Sequence, residues 1–272
     1  MNNSLIQWTD STVNFQMGCK KVSEGCKYCY MYRDFQRYGR DPQKVVQVSE
    51  KTIMNTLKKT KPGSKIFTNS WSDFFIEEAD PWREEQWKII RDTPQFIWQI
   101  LTKRPERIKN CLPPDWGENG YPNVWLGTTI ENEKHLNRLD ELCEIPATLY
   151  FVSAEPLLGP IDFTLESSFG IPYAFLIDWL ILGGESGFST GKYLYRPCEV
   201  EWMEKIISDV KANSVAKIFV KQMGSYLAKK GLGTPINKNG RIADKHGGDF
   251  DFFPDSLKLR EMPGDESENT AD

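Results

Sequence analysis

From Val13 to Cys29 the chain reads Val-Asn-Phe-Gln-Met-Gly-Cys-Lys-Lys-Val-Ser-Glu-Gly-Cys-Lys-Tyr-Cys, a short β-prone run closed by Gly18 and followed by Cys19, Cys26 and Cys29 at spacing C-x6-C-x2-C. This stretch places a thiol-rich loop at the end of a predicted first strand, Val13–Met17. Three close cysteines are an incomplete set for structural zinc, which closes with four ligands, and His135 and His246 are far away in sequence. They suffice for a [4Fe–4S] cluster, with three irons held and the fourth left open, and soft thiolates suit that chemistry. Zinc completed by Cys111, Cys143 or Cys198, a disulfide, and inert thiols are the alternatives.

Outward from this loop one unit repeats: a short apolar strand, polar residues at its end, then a helical stretch. Further strands are predicted at Lys65–Asn69, Phe96–Thr102, Val124–Thr128, Leu149–Ser153, Trp179–Gly183 and Lys217–Lys221. Near-continuous apolar runs of this kind suit parallel strands covered on both faces. Val45–Val48 is a candidate eighth. Helices are predicted after Tyr30, near Ser49–Lys59, and over Pro81–Arg91, Asn132–Cys143 and Glu199–Ala212, each with apolar residues at three-to-four spacing. The expected fold is α/β: a (β/α) barrel, complete or partial, of six to eight parallel strands. The barrel is expected to occupy residues 1–224, with a loop-rich extension packed on it over 225–263 and a disordered acidic tail over 264–272.

Composition narrows the setting more than the chemistry. With 39% hydrophobic and 26% charged residues the chain reads as soluble and globular, without a run of some 18 apolar residues that a membrane span needs. The N-terminus lacks the basic start and apolar run of a secretory signal, so a reducing cytoplasm is expected, where the six cysteines serve as ligands or buried thiols. A net charge of −4 gives no global attraction for nucleic acid; any such contact would need a local patch. Arg33, Arg37 and Arg40, with Lys103, Arg104, Arg107 and Lys109, interleave with Tyr30, Tyr32, Phe35 and Tyr38 to make one candidate.

Active sites of barrels lie at the C-terminal strand ends, and here those ends are polar. They carry Asp73, Lys103, Glu131, Glu155, Glu185 and Lys221. Tyr28 stands just before Cys29, and this Cys-x-aromatic-Cys ending resembles the cluster loop of radical S-adenosylmethionine enzymes, although most of them have three residues in the first interval. That resemblance implies S-adenosylmethionine as a cofactor. Its carboxylate would meet Lys103 or Arg104, and its ribose or ammonium Glu131, Ser153 or Glu155. Gly183-Gly184-Glu185 matches the letters of a Gly-Gly-Glu element that those enzymes use for the ammonium, but theirs follows the second strand. Here the glycines could instead let backbone approach adenine.

Over about residues 6–263 the chain also resembles an uncharacterised family of phage and bacterial proteins named after phage gene products thirty-seven and sixty-eight. The segments that carry this are Trp8-Thr9-Asp10, Gly18-Cys19, Gly25-Cys26 through Cys29-Tyr30, Leu101–Pro105, Asn123 with Trp125-Leu126-Gly127, Ser153–Pro160, Gly183–Gly187 and Val220–Gly224. The resemblance implies a radical-SAM-like enzyme, often with a separately encoded partner protein. Cys19, Cys26 and Cys29 would hold the [4Fe–4S] cluster, and reduction would release a 5′-deoxyadenosyl radical to act on a substrate, by analogy a nucleic acid or nucleotide. Two other classes stay open. One is a non-catalytic iron–sulfur or zinc module that binds a protein or nucleic acid. The other is a barrel hydrolase using Glu155 and Glu185 as its carboxylate pair.

Overall fold

The computed structural model of the chain describes residues 4–264. Strand β1 (Ser11–Val13) is followed by β2 (Gln16–Met17), the cysteine loop, α1 (Tyr30–Arg37), β3 (Val46–Gln47) and α2 (Glu50–Leu57). Next come β4 (Lys65–Thr68), α3 (Arg83–Arg91), β5 (Ile97–Thr102), α4 (Ile108–Cys111), β6 (Val124–Thr129) and α5 (Asn137–Cys143). The chain continues through β7 (Tyr150–Ala154), β8 (Trp179–Gly183), α6 (Val200–Asn213), β9 (Lys217–Gln222) and α7 (Gly224–Ala228). Seven of these strands form one parallel sheet in the order β1-β4-β5-β6-β7-β8-β9, curled into a half-barrel.

Period-two alternation sorts the strand side chains onto two faces. Ile66, Trp98, Ile100, Leu126, Val152, Leu180 and Val220 face outward, into a core shared with Ile53, Trp87, Ile90, Met203 and Ile206 of the helices. On α6, Met203, Ile206, Ile207 and Val210 repeat at helical spacing and are all buried. Phe67, Trp125, Phe151, Trp179 and Phe219 face inward around Trp8, forming an aromatic plug in the half-barrel. The Trp8 and Phe67 ring centroids are 4.6 Å apart. Gly127 leaves room for the Phe151 ring, whose atoms lie 2.5 Å from where a Cβ would stand.

The first strand lies earlier than Val13–Met17. Asn69 Oδ1 accepts the Phe15 amide at 2.7 Å and Asn14 Oδ1 accepts the Trp71 amide, so the chain leaves the parallel ladder at Asn14. Gln16–Met17 then pairs antiparallel with Val46–Gln47. The candidate eighth strand is therefore half of this two-stranded ribbon and not part of the main sheet. The helix expected over Asn132–Cys143 opens with a 3-10 turn, Glu133–His135, capped by Asn132.

After α7 the chain runs largely through turns and returns to the free edge of β9. Val220 donates to the Leu259 carbonyl and Glu261 to that of Ile218, covering the exposed ladder groups of that strand. The expected tail beyond Gly264 lies outside the described residues.

Candidate active site

The alternation that builds the aromatic plug also builds the site above it. Two residues after Phe67 comes Asn69; after Leu101, Lys103; after Gly127, Thr129; after Phe151, Ser153; after Phe219, Lys221. The second member of every pair lines a cavity of about 600 Å³, whose floor includes Trp8 and Phe67. Cys19, Cys26 and Cys29 form part of the same wall. The strands thus change from apolar to polar along one face, at the C-terminal end where barrel sites lie.

The cysteine loop is tied to the ends of β4, β5 and β6 and to Arg196 of the β8–α6 connection. Gly18, at φ +94°, donates to the Trp71 carbonyl, and its own carbonyl accepts Ser72 Oγ at 2.6 Å. Arg104 donates to the Lys20 carbonyl at 2.8 Å while its other nitrogen pairs with Asp73 at 3.0 Å. Ser23 donates to Glu131 at 2.6 Å, and Arg196 donates to the Glu24 carbonyl at 2.9 Å. Glu131 approaches so closely that a Cβ on Gly25 would stand 2.2 Å from its Oε1, which explains the glycine.

The residues expected to touch a cofactor divide into two groups. Lys103, Arg104, Ser153 and Glu155 line the cavity. Lys103 has a single loose ion pair, 3.9 Å to Glu131, whereas Arg104 is engaged by Asp73 and the Lys20 carbonyl. Glu155 pairs with Lys221 at 2.9 Å across the cavity wall. Glu131, Gly183, Gly184 and Glu185 stand behind the wall. Glu131 is fully buried beneath the loop, bonded to Ser23 and, at 2.7 Å, to Arg138. Both Glu185 oxygens are held by Arg196. Gly184 backs onto the Met223 carbonyl, 2.3 Å from the position of a Cβ, so backbone packing accounts for it.

The basic-aromatic patch read from the sequence is also divided. Tyr32 and Phe35 are buried, Arg104 pairs with Asp73, and Arg107 pairs with Asp80 and Glu77, which leaves Tyr30, Arg37, Tyr38 and Arg40 exposed on α1 and just beyond it, and Lys109 on α4.

Asn69 is the residue that sequence reasoning passed over. It is 2% exposed, holds φ at +57°, and lines the cavity; its Oδ1 receives Phe15, but its Nδ2 has no partner. The available signal was asparagine at a strand end, the residue type that best tolerates left-handed backbone there. In the sequence Asp73 is one strand-end charge among several. It is a hub, accepting Thr102 Oγ1 at 2.7 Å and the Lys103 amide at 3.0 Å besides Arg104.

Electrostatics follow from this packing. Burial, then the nearby Asp73 carboxylate, pushes the Cys19 thiol up to about 12, against the pull of Arg104. Burial likewise raises the Cys29 thiol. Burial would raise Glu131 too, but Lys103 and Arg138 outweigh it and hold its carboxyl below the usual range.

Cys19, Cys26 and Cys29 are the soft donors that this cavity offers to a metal or a cluster. Among the described residues no three His, Cys, Asp or Glu side chains converge closely enough to hold one metal ion. A four-iron cluster instead spreads its thiolates over separate irons. Three cysteines and no histidine line the cavity among the described residues, together with the carboxylates of Asp73 and Glu155.

A family described as Protein of unknown function (DUF5131) matches residues 3–254. The chain belongs to that family. No curated protein and no solved structure matches it. In this DUF5131 member the cavity brings three thiols together with an ammonium, a hydroxyl, an amide and a Lys–Glu pair. Among the described residues no helix is long and apolar enough to cross a membrane.

Proposed function

We propose that the protein is a radical S-adenosylmethionine enzyme in which Cys19, Cys26 and Cys29 hold a [4Fe–4S] cluster. The observation that carries this is the single cavity wall shared by the three cysteines and by Asn69, Lys103, Ser153 and Glu155. The resemblance of the Cys-x-aromatic-Cys ending to radical S-adenosylmethionine enzymes supports it.

When bound, the cluster and S-adenosylmethionine would supply reductive, hydrogen-abstracting radical chemistry, with the electron drawn from an external low-potential donor. The chain's own residues bind and orient. Lys103 offers an ammonium to the carboxylate of the amino acid moiety, and Ser153 and Glu155 offer acceptors to ribose hydroxyls or the ammonium. The unpartnered Asn69 Nδ2 gives a further donor. Trp8 and Phe67 close the cavity floor and keep water from the reacting atoms.

The hydrolase reading is weaker on this geometry. Glu155 lines the cavity, but Glu185 is bound to Arg196 behind it, so the two carboxylates do not flank one space.

Anaerobic reconstitution with iron and sulfide, followed by electron paramagnetic resonance of the reduced protein, tests the proposal. A four-iron signal that shifts with S-adenosylmethionine, together with released 5′-deoxyadenosine, is expected. Stoichiometric zinc, or a cluster indifferent to the cofactor, would overturn it in favour of a binding module.

A further inference from the structure

A second group of charges, formed by three segments that are distant in sequence, adjoins the cavity through Lys221. Arg33 lies one turn beyond Cys29, with its amide on the Cys29 carbonyl. Its guanidinium is 5.8 Å from the centroid of Phe188, in the loop after β8, and the ammonium of Lys245 is 5.2 Å from the same centroid. The third segment is the end of β9, where Lys221 lines the cavity itself.

His246 lies among all three cations. Burial first, and then the charges of Lys245, Arg33 and Lys221, hold its imidazole below the usual range against the pull of Asp244. Its Nδ1 is buried without a hydrogen-bond partner. The acidic groups nearby only partly compensate. Asp34 pairs with Arg33 at 3.0 Å and Glu155 with Lys221 at 2.9 Å. The Asp244 carboxylate accepts the His246 and Gly248 amides, both at 2.8 Å, and so is turned into its own loop. Lys245 makes no ion pair among the described residues.

Holding like charges together costs energy unless an anion compensates them, and this chain is acidic overall, at −4. A carboxylate is satisfied by one guanidinium or ammonium. Two cations at one aromatic ring, with Lys221 of the third segment adding a further charge, suit a phosphate, which carries more charge and more acceptor oxygens. Phe188, 44% exposed, adds an apolar contact beside the charges for a base or sugar.

We infer that this group of charges binds the phosphate ester of a nucleotide, free or within a polynucleotide, through Arg33, Lys221 and Lys245 beside Phe188. The inference takes from the preceding reading only that the cavity is a substrate site. The phosphate anchors the substrate beside the cavity while the remainder enters toward the cysteines.

The test needs neither cluster nor cofactor. Binding of fluorescein-labelled 12-nucleotide single-stranded DNA and RNA is measured by anisotropy over a range of salt, with 5′-AMP and inorganic phosphate as competitors. The R33Q/K245A variant should bind at least about tenfold more weakly and, with two phosphate contacts gone, show a salt slope shallower by about 1.4. K245A alone should fall between. K211A, on the outer face of α6, should match the parent protein. Competition by 5′-AMP at concentrations comparable to the oligonucleotide assigns a free nucleotide; competition by oligonucleotide alone assigns a polynucleotide. Unchanged affinity and slope in R33Q/K245A, or no binding of any phosphate probe, would overturn the inference. Phosphate binding without cofactor cleavage would sink the radical reading and leave this one standing.

Discussion

Ser23 of the cysteine loop donates a 2.6 Å hydrogen bond to Glu131, 108 residues further along the chain at the end of β6. Glu131 is fully buried and is held in turn by Arg138, with Lys103 3.9 Å and His135 3.7 Å away. A loop rich in thiols, with only a 3-10 turn of regular structure, thereby acquires a rigid support from the sheet. Glu131 acts on the cysteines through Ser23 and Gly25 and is a positioning residue.

Weakening this support should loosen the loop before it unfolds the protein. In E131Q and S23A, the amides of residues 19–29 should exchange with deuterium faster than in the parent, while those of β6 and β8 keep their protection. The reconstituted variants should also lose iron sooner to a chelator. Unchanged exchange across 19–29 would remove the supporting role.

Glu131 also sets a pH dependence. Its carboxyl lies below the usual glutamate range in the folded protein, since Lys103 and Arg138 outweigh burial. A lowered folded value stabilises the protein above the unfolded value, and that stability is lost as pH falls through the folded one. The difference in urea midpoint between the parent and E131Q should therefore be widest near neutrality and close as pH drops below 4.5. A constant difference from pH 7 to pH 3 would contradict this.

Arg196 and Glu185 should matter for stability and not for cofactor affinity. Arg196 grips both oxygens of Glu185, which is 6% exposed, and also the Glu24 carbonyl. Removing one partner leaves the other charge buried; R196M should lose about 3 kcal/mol in urea denaturation. S-adenosylmethionine affinity of the folded E185Q fraction, measured by equilibrium dialysis, should stay within about twofold. A tenfold loss there would return Glu185 to the cofactor site.

Lys103 and Glu155 carry the opposite expectation. Both line the cavity, and Lys103 has only a loose partner. K103M and E155Q should each weaken S-adenosylmethionine binding about tenfold, the size of one charge-assisted hydrogen bond, with iron content preserved. C19S, C26S and C29S should each abolish a four-iron signal, whereas C198S, at a thiol 1% exposed in the outer core, should keep it. Retention of cofactor affinity in both K103M and E155Q would remove these assignments.

Much of the fold was legible because it depends on local pattern. The runs at Lys65–Thr68, Ile97–Thr102, Val124–Thr129 and Trp179–Gly183 are apolar on both faces, as a covered parallel sheet requires, and each was located to within a residue or two. The misplaced first strand had a non-local cause: Asn69 and Trp71, more than fifty residues away, draw Asn14 and Phe15 out of the ladder. Nothing in Val13–Met17 announces that capture.

The site was legible as a list of strand ends but not as a set of contacts. The sequence by itself determined the parallel α/β architecture, the three-cysteine loop after the first strand, and the polar residues at the strand ends. These follow from side-chain alternation and spacing, which are properties of neighbouring residues. Only the tertiary structure decided which of those residues face the cavity. It turned Glu131 beneath the loop and locked Glu185 to Arg196, left Lys103 and Asn69 at the cavity, and brought Arg33 and Lys245 to the one ring of Phe188. A charged side chain settles on the nearest partner that compensates it, and that partner is chosen by distance in space, which spacing along the chain does not encode.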